Sequence, residues 1–355
     1  MSDIASPPSE QDELMPTVPG ADASVPDSGV GRKNPLRFLG FGTIGAVYVW
    51  IAMVVLFAIW IPDLWLSSAT VTSIINEYSV TALATLSLVV VLAARQFDLS
   101  IGSTMSLGGV VAGYMLANTS LPPALCALVA VLSGLVVGLA NAIAVVWLRL
   151  ESLIATLGTG AIVAAMAVAI SGDRFLTERM TGDFSLIAVG EIAGINVAFL
   201  YVIGIMVVMG LVLEHTPAGR HLYATGYNSD AARLMGVRVN RVKVIAFMVT
   251  GAIAAFAGVI LAARLQAAAP DAGAHYLIPA FSAVFLGATQ FRHGRFNSWG
   301  AVLAVLVIGT GSLGLSLAGG PSWAPEVFTG LILIIAVAIT VAERKPKKNS
   351  RESNQ

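Results

Sequence analysis

The sequence predicts an all-α, polytopic membrane protein of about ten transmembrane helices with a short coupling helix on its cytoplasmic side. Three observations predict it. Hydrophobic residues make up 57% of the 355 residues and charged residues only 11%, with a mean hydropathy of +0.83. A soluble domain carries about a quarter charged residues, so this much apolar surface requires lipid as its solvent. Apolar runs long enough to cross a bilayer recur along the chain, and Lys and Arg collect on alternate connections between them.

Residues 1–34 are rich in Ser, Pro, Asp, Glu and Gly without apolar periodicity, which predicts a disordered cytoplasmic tail. They lack the basic region and apolar core of a cleavable signal, so the first span is expected to direct insertion. The transmembrane domain is expected over residues 35–342, with spans near 43–62, 78–94, 101–118, 123–147, 153–171, 196–213, 243–263, 276–290, 298–318 and 324–342. Segments 64–80 and 276–290 are also compatible with re-entrant or broken helices. A basic cytoplasmic tail follows at 343–355.

With the N-terminus inside, 17 of the 20 Lys and Arg residues fall on the cytoplasmic side; only Arg174, Arg179 and Arg264 fall outside. Both termini are thus expected in the cytosol, and the chain in a bacterial inner membrane. Residues 172–195 become an outside loop, and 214–242 a basic inside loop long enough to suggest a docking partner.

That inside loop reads GRHLYATGYNSDAARLMGVRVNRVKV. Asn228 or Ser229 can cap a short helix, Asp230 complements its positive end, and Ala231, Ala232, Arg233, Leu234 and Met235 can continue it. Gly236 supplies a left-handed stop. The small residues Ala231 and Ala232 permit close backbone approach, and Leu234 and Met235 would be exposed apolar groups suited to a partner's groove. An ordinary amphipathic connector on the membrane surface is the other reading.

Elsewhere, Asp98 is costly in hydrocarbon but at a turn can cap the span that follows, with Ser100 assisting. Asn141, Thr156, Thr159 and Gln266 are candidates for a polar translocation pathway; interhelical hydrogen bonding is the alternative for Asn141. Gly134 and Gly138 are spaced for close helix packing. Six glycines between Gly300 and Gly320 make the ninth span either flexible or tightly packed. VVLAARQFDLSIGSTMSLGG and VFLGATQFRHGRFNSWGAVL align at Gln96–Phe97 and Gln290–Phe291, hinting at a parallel duplication.

The inside loop resembles the coupling segment of the ribose/xylose/galactose-type permeases of binding-protein-dependent ATP-binding cassette importers. Their pattern, G-R-x-x-Y-A-x-G-x-N-x-x-A-A-R-x-x-G-[IV]-x-V-x-[RK]-V-K, is met from Gly219 to Lys243. FDLSIGS at 97–103, LIATLGT at 153–159, TGAIAAFAGVILAARLQAAAPDAG at 250–273 and AFSAVFLGAT at 280–289 resemble further family segments, together covering roughly 70–340. The chain departs from the pattern where the family has a glycine pair and here stand Arg95 and Gln96. It departs again where a glycine-rich turn is replaced by Gln290–Phe296.

The resemblance implies a permease subunit carrying a sugar or similar small polar solute. Asn228, Asp230, Ala231, Ala232, Arg233 and Gly236 would couple it to a cytosolic ATPase. The implied partners are that ATPase, a periplasmic solute-binding protein and a second permease chain in a homodimer. No cofactor is implied, and neither a catalytic role nor nucleic acid. Independently of the resemblance, the chain has no phosphate-binding G-x-x-x-x-G-K-[ST] loop and no His or Cys cluster for a metal. An ion-coupled carrier is the alternative, but such carriers bury ionisable groups near the midplane, and these spans are almost free of charge. A branched-chain amino acid importer and a structural scaffold are the remaining readings.

Overall fold

A computed structural model describes residues 41–291 and 294–343. The expectations for segments 1–34 and 344–355, and for Arg292 and His293, lie outside the described residues. The described chain is helical apart from one two-stranded hairpin.

The elements run α1 (Phe41–Trp60), α2 (Pro62–Trp65), α3 (Ser68–Ala93), α4 (Ile101–Asn118), α5 (Pro123–Ala142), α6 (Ser152–Ser171) and α7 (Asp183–Val189). The hairpin β1 (Glu191–Ile192) and β2 (Ile195–Asn196) follows, then α8 (Val197–His215), α9 (Pro217–Tyr227), α10 (Ser229–Leu234) and α11 (Val239–Leu265). The last three helices are α12 (Leu277–Ala288), α13 (Ser298–Leu317) and α14 (Ala324–Glu343). Among the described residues, six helices are long and apolar enough to cross a membrane, three more are shorter and apolar, and α4 is 18 residues long. These ten coincide with the ten expected spans, and the chain is an all-α multi-pass membrane protein.

Two boundaries differ instructively. The span expected to begin at 78 begins at Ser68 and runs unbroken to Ala93, and the break within 64–80 falls between α2 and α3. Ser67 caps the helix by accepting from the Thr70 amide, and Thr72 donates back to the Ser68 carbonyl at 3.0 Å. The polar groups that lower hydropathy there are satisfied within the helix itself. At 276–290 only 12 residues form α12, preceded by a 3₁₀ turn at Ala274–Tyr276. The connection from α7 to α8 is also ordered locally: Ala193 and Gly194 both take positive φ, the two-residue turn that β1 and β2 need.

Helix α3 is the axis of the bundle. Every residue from 79 to 94 is buried, and α11, α13, α12 and α8 surround it. Its enclosure does not follow from hydropathy, since α8 is more apolar (mean hydropathy 2.5 against 1.6) and less buried, the rest of the α8 surface being left to lipid. The strongest packing is α11 against α5 and α4. There Gly134 lies on Gly251, and a β-carbon at either would overlap the other's carbonyl oxygen. The expected role of Gly134 and Gly138 is therefore a backbone-to-backbone contact. The ninth span, α13, is an unbroken helix, so its glycines serve packing rather than flexibility.

The two segments aligned as a possible duplication differ in backbone conformation, since the alignment pairs Phe291 with Phe97 and Arg95 with Thr289, whose φ is −77°. Arg95 and Phe291, in the turns after α3 and α12, both adopt positive φ, 53° and 57°. Each turn carries a short polar side chain that accepts from a nearby amide: Asp98 from that of Ser100, two residues on, and Asn297, the cap of α13, from that of Gly300 at 2.7 Å.

Candidate functional site

Two polar constructions lie on the face where α3, α5, α8 and α12 end and α4, α6, α11 and α13 begin. The first is the connection from α8 to α11. Thr216 caps α9 by accepting from the Gly219 amide, and Pro217 occupies the first turn, where a missing N–H costs nothing. The Asn228 side chain then caps α10, its Oδ1 accepting from the amides of Asp230 (3.1 Å) and Ala231 (3.0 Å). Asp230 stands in the first turn and Arg233 in the last, both complementing the helix dipole. Gly236 ends the segment at φ +84°.

One residue of α10 points differently from the sequence-based expectation, while Leu234 and Met235 are exposed as expected. Ala232 was expected to offer a close approach to a partner; instead it is buried against its own chain. The presented groups are Leu234 and Met235, 89% and 86% exposed, with Tyr227 beside them at 83%.

Sequence reasoning missed α9 as a helix, and with it a clamp. The Tyr223 hydroxyl donates to the Phe296 carbonyl at 2.7 Å, and the Arg295 guanidinium lies 3.9 Å from the Tyr223 ring centroid. One turn further on, Arg95 lies 6.0 Å from the Tyr227 ring. Gly226 sits so tightly on the Ala93 carbonyl that a β-carbon would collide with it. Thus α9 touches two turns, the one after α3 and the one after α12. The Thr216–Pro217 pair was the available signal for this helix.

The second construction is the turn at 97–100. Asp98, 1% exposed, accepts from the Ser100 amide (2.9 Å) and the Ser100 hydroxyl (2.6 Å). Asn141 Nδ2 donates to Ser100 Oγ at 2.8 Å and to both Asp98 oxygens at 3.3 Å. Burial pushes the Asp98 carboxyl above its ordinary pKa, while the bonds from Ser100 and Asn141 pull it back. Helix α6 grips the same turn from outside. Ser152 Oγ accepts from the Phe97 amide and Thr156 Oγ1 from the Leu99 amide, each at 3.0 Å.

The four pathway candidates therefore do not line one cavity in this chain. Asn141 and Thr156 are fully buried and committed to the Asp98 turn, because a buried amide or hydroxyl must spend its hydrogen bonds locally. Thr159, partly buried, donates to the Ala155 carbonyl of its own helix at 3.0 Å. Gln266 is exposed at the far end of α11 with φ +54°.

Comparison with known proteins places this geometry in a family. The model of the family described as "Branched-chain amino acid transport system / permease component" matches residues 70–337. The ribose import permease protein of Haemophilus influenzae is 31% identical over 81% of this chain and 90% of its own. The D-allose transport system permease protein of Escherichia coli K12 is 30% identical over 88% of this chain and 96% of its own. The autoinducer 2 import system permease protein of a Salmonella paratyphi B strain is 29% identical over 76% and 78%. No solved structure matches the chain. The match over 70–337, spanning α3 to α14 and both polar constructions, shows that this chain belongs to the family of permease components of such transport systems.

Proposed function

We propose that this chain is the membrane-spanning permease subunit of an ATP-driven importer, carrying a sugar or similar small polar solute across the bacterial inner membrane. One observation carries the coupling reading: α10, capped at both ends, presents Leu234 and Met235 to solvent while α9 behind it is fastened to two inter-helix turns. A helix this short cannot hold exposed apolar groups in place by itself. Fastened in this way, it offers them as a preformed knob for the groove of a cytosolic ATPase. Asn228, Asp230, Arg233 and Gly236 shape the knob, and Ala231 and Ala232 fit it to its surroundings. A second copy of the chain would complete the pathway, and a solute-loaded binding protein would deliver from the opposite face. The named relatives, permeases for ribose and D-allose, favour this over an ion-coupled carrier and over amino acid import.

The test is co-purification of the ATPase with a Leu234→Asp/Met235→Asp variant. Both positions are exposed, so the chain is expected to insert and purify normally while the ATPase is lost. Retention of the ATPase at wild-type yield would overturn the coupling assignment. Orientation is tested separately with an impermeant thiol reagent, since the single Cys126 is buried. A cysteine at exposed Phe175 is expected to label from outside and one at exposed Tyr227 is not. The reverse pattern would invert the topology.

A further inference from the structure

On the α9 face lies a cavity of about 460 Å³ whose described lining residues include Arg95, Tyr223, Gly226, Tyr227, Gly294 and Arg295 and no acidic residue. That volume falls within the span of small-molecule sites, roughly 300–1,000 Å³. Its two cations arrive from different turns, Arg95 after α3 and Arg295 after α12. They are brought together by Tyr223 and Tyr227, which sit four residues apart on one side of α9. Each ring carries one guanidinium, at 3.9 Å and 6.0 Å, and the Tyr223 ring is itself fixed through its hydroxyl.

Glu214 lines the neighbouring pocket with Arg220 and Arg295, the cavity itself has no carboxylate among its described lining residues, and both Arg95 and Arg295 are exposed. Two like charges converging on one cavity repel each other, unless a third group of opposite sign stands between them. A guanidinium lying on an aromatic face keeps its edge of N–H donors available for a planar or tetrahedral oxyanion. Arg95 in addition occupies φ +53°, a backbone conformation that side-chain-bearing residues rarely adopt.

We propose that this cavity binds the phosphate group of a small phosphorylated molecule, with Arg95 and Arg295 as its two-sided clamp. Bound phosphate would neutralise the repulsion and brace α9 against both turns at once, stiffening the support of α10. If the α9 face is cytoplasmic, the reaction class that supplies such a ligand is ATP-dependent phosphorylation of an imported solute. Its product would then act on the importer that delivered the precursor. This last step rests on the proposed importer function; the binding site does not.

The experiment is calorimetric titration of the full chain, purified in uncharged detergent, with ribose 5-phosphate, inorganic phosphate and ribose. The phosphates are expected to bind saturably and ribose not at all. Arg95→Ala and Arg295→Ala are each expected to weaken binding about tenfold or more. Arg95→Lys and Arg295→Lys, checked for folding by thermal melting, are expected to retain part of it, because a point charge replaces the fork. Repeating the titration in nanodiscs separates the sources of phosphate. Binding that persists in both phosphatidylcholine and phosphatidylglycerol discs assigns a soluble ligand. Binding abolished only by phosphatidylglycerol assigns the lipid headgroup. The proposal is overturned if neither phosphate binds, if ribose binds equally, or if binding survives both alanine substitutions. Intact binding in a protein that supports no ATP-driven import would overturn the importer reading alone.

Discussion

Two groups of glycines in this molecule look alike in sequence and do opposite jobs. Along the α4–α5–α11 seam, Gly134 and Gly258 meet backbone: a β-carbon at Gly258 would overlap the Met105 carbonyl oxygen, and one at Gly134 that of Gly251. Along α13, Gly309 and Gly314 meet side chains, the rings of Tyr78 and Phe57. The first group sets the distance between helix axes. The second makes sockets for aromatic rings. A backbone cannot retreat without separating two whole helices, whereas a ring can turn on its own torsions. Glycine content alone therefore says little about flexibility; what stands opposite each glycine decides the consequence of replacing it.

This contrast is sharpest at Gly258. Alanine there gains roughly 1 kcal/mol of helix propensity, yet must push α4 away from α11, and overpacking of that kind costs about 3 kcal/mol or more. Gly258→Ala is expected to abolish the monodisperse peak in detergent size-exclusion chromatography. A wild-type yield would show that the seam can open and would break the comparison.

Gly314→Ala gains the same propensity, and its added carbon displaces only the outer atoms of the Phe57 ring. A net loss of about 1 kcal/mol is expected, read as a modest drop in melting temperature. In a Phe57→Leu background the loss should vanish, since the two residues share one contact. A Gly314→Ala loss as large as that at Gly258 would mean that the ring is as immovable as a backbone.

The smallest effect is expected where hydrogen bonds rather than shape hold the helices. Asp98→Asn keeps the acceptor for the Ser100 amide and hydroxyl; its new NH₂ replaces the Oδ2 that accepts from Asn141 Nδ2 and must turn instead to Asn141 Oδ1, which has no partner in the present arrangement. Near wild-type melting is expected for Asp98→Asn, whereas Asp98→Leu leaves buried donors unpaired and should cost about 3 kcal/mol or more. Equal losses from both would show that the negative charge itself is needed.

Local signals were legible in the sequence and distant meetings were not. The apolar runs gave all ten apolar helices because lipid imposes their length, and Asn228 and Gly236 marked the ends of α10 because cap chemistry depends on neighbouring residues. The first turns of α3 were hidden by Ser and Thr hydroxyls that bond to their own helix. Helix α9 was hidden by its glycines, one of which is there only because the Ala93 carbonyl presses on it. Nothing near Asn141 in sequence announces Asp98, 43 positions away. Nor could composition show that Ala232 turns inward, since that depends on how α10 lies on the chain beneath it.

The enclosure of α3 also has a consequence in time. Its last residue is Ala93, but α8, α11, α12 and α13, which come to surround it, begin at Val197 and beyond. During synthesis the helix must therefore wait in lipid, without its neighbours, while more than half of the chain is still being made. Thr85 donates to the Thr81 carbonyl and Ser87 to the Ala84 carbonyl, each at 2.7 Å, so these hydroxyls are satisfied without any partner helix. The central helix carries its own provisions for the interval between leaving the ribosome and being enclosed.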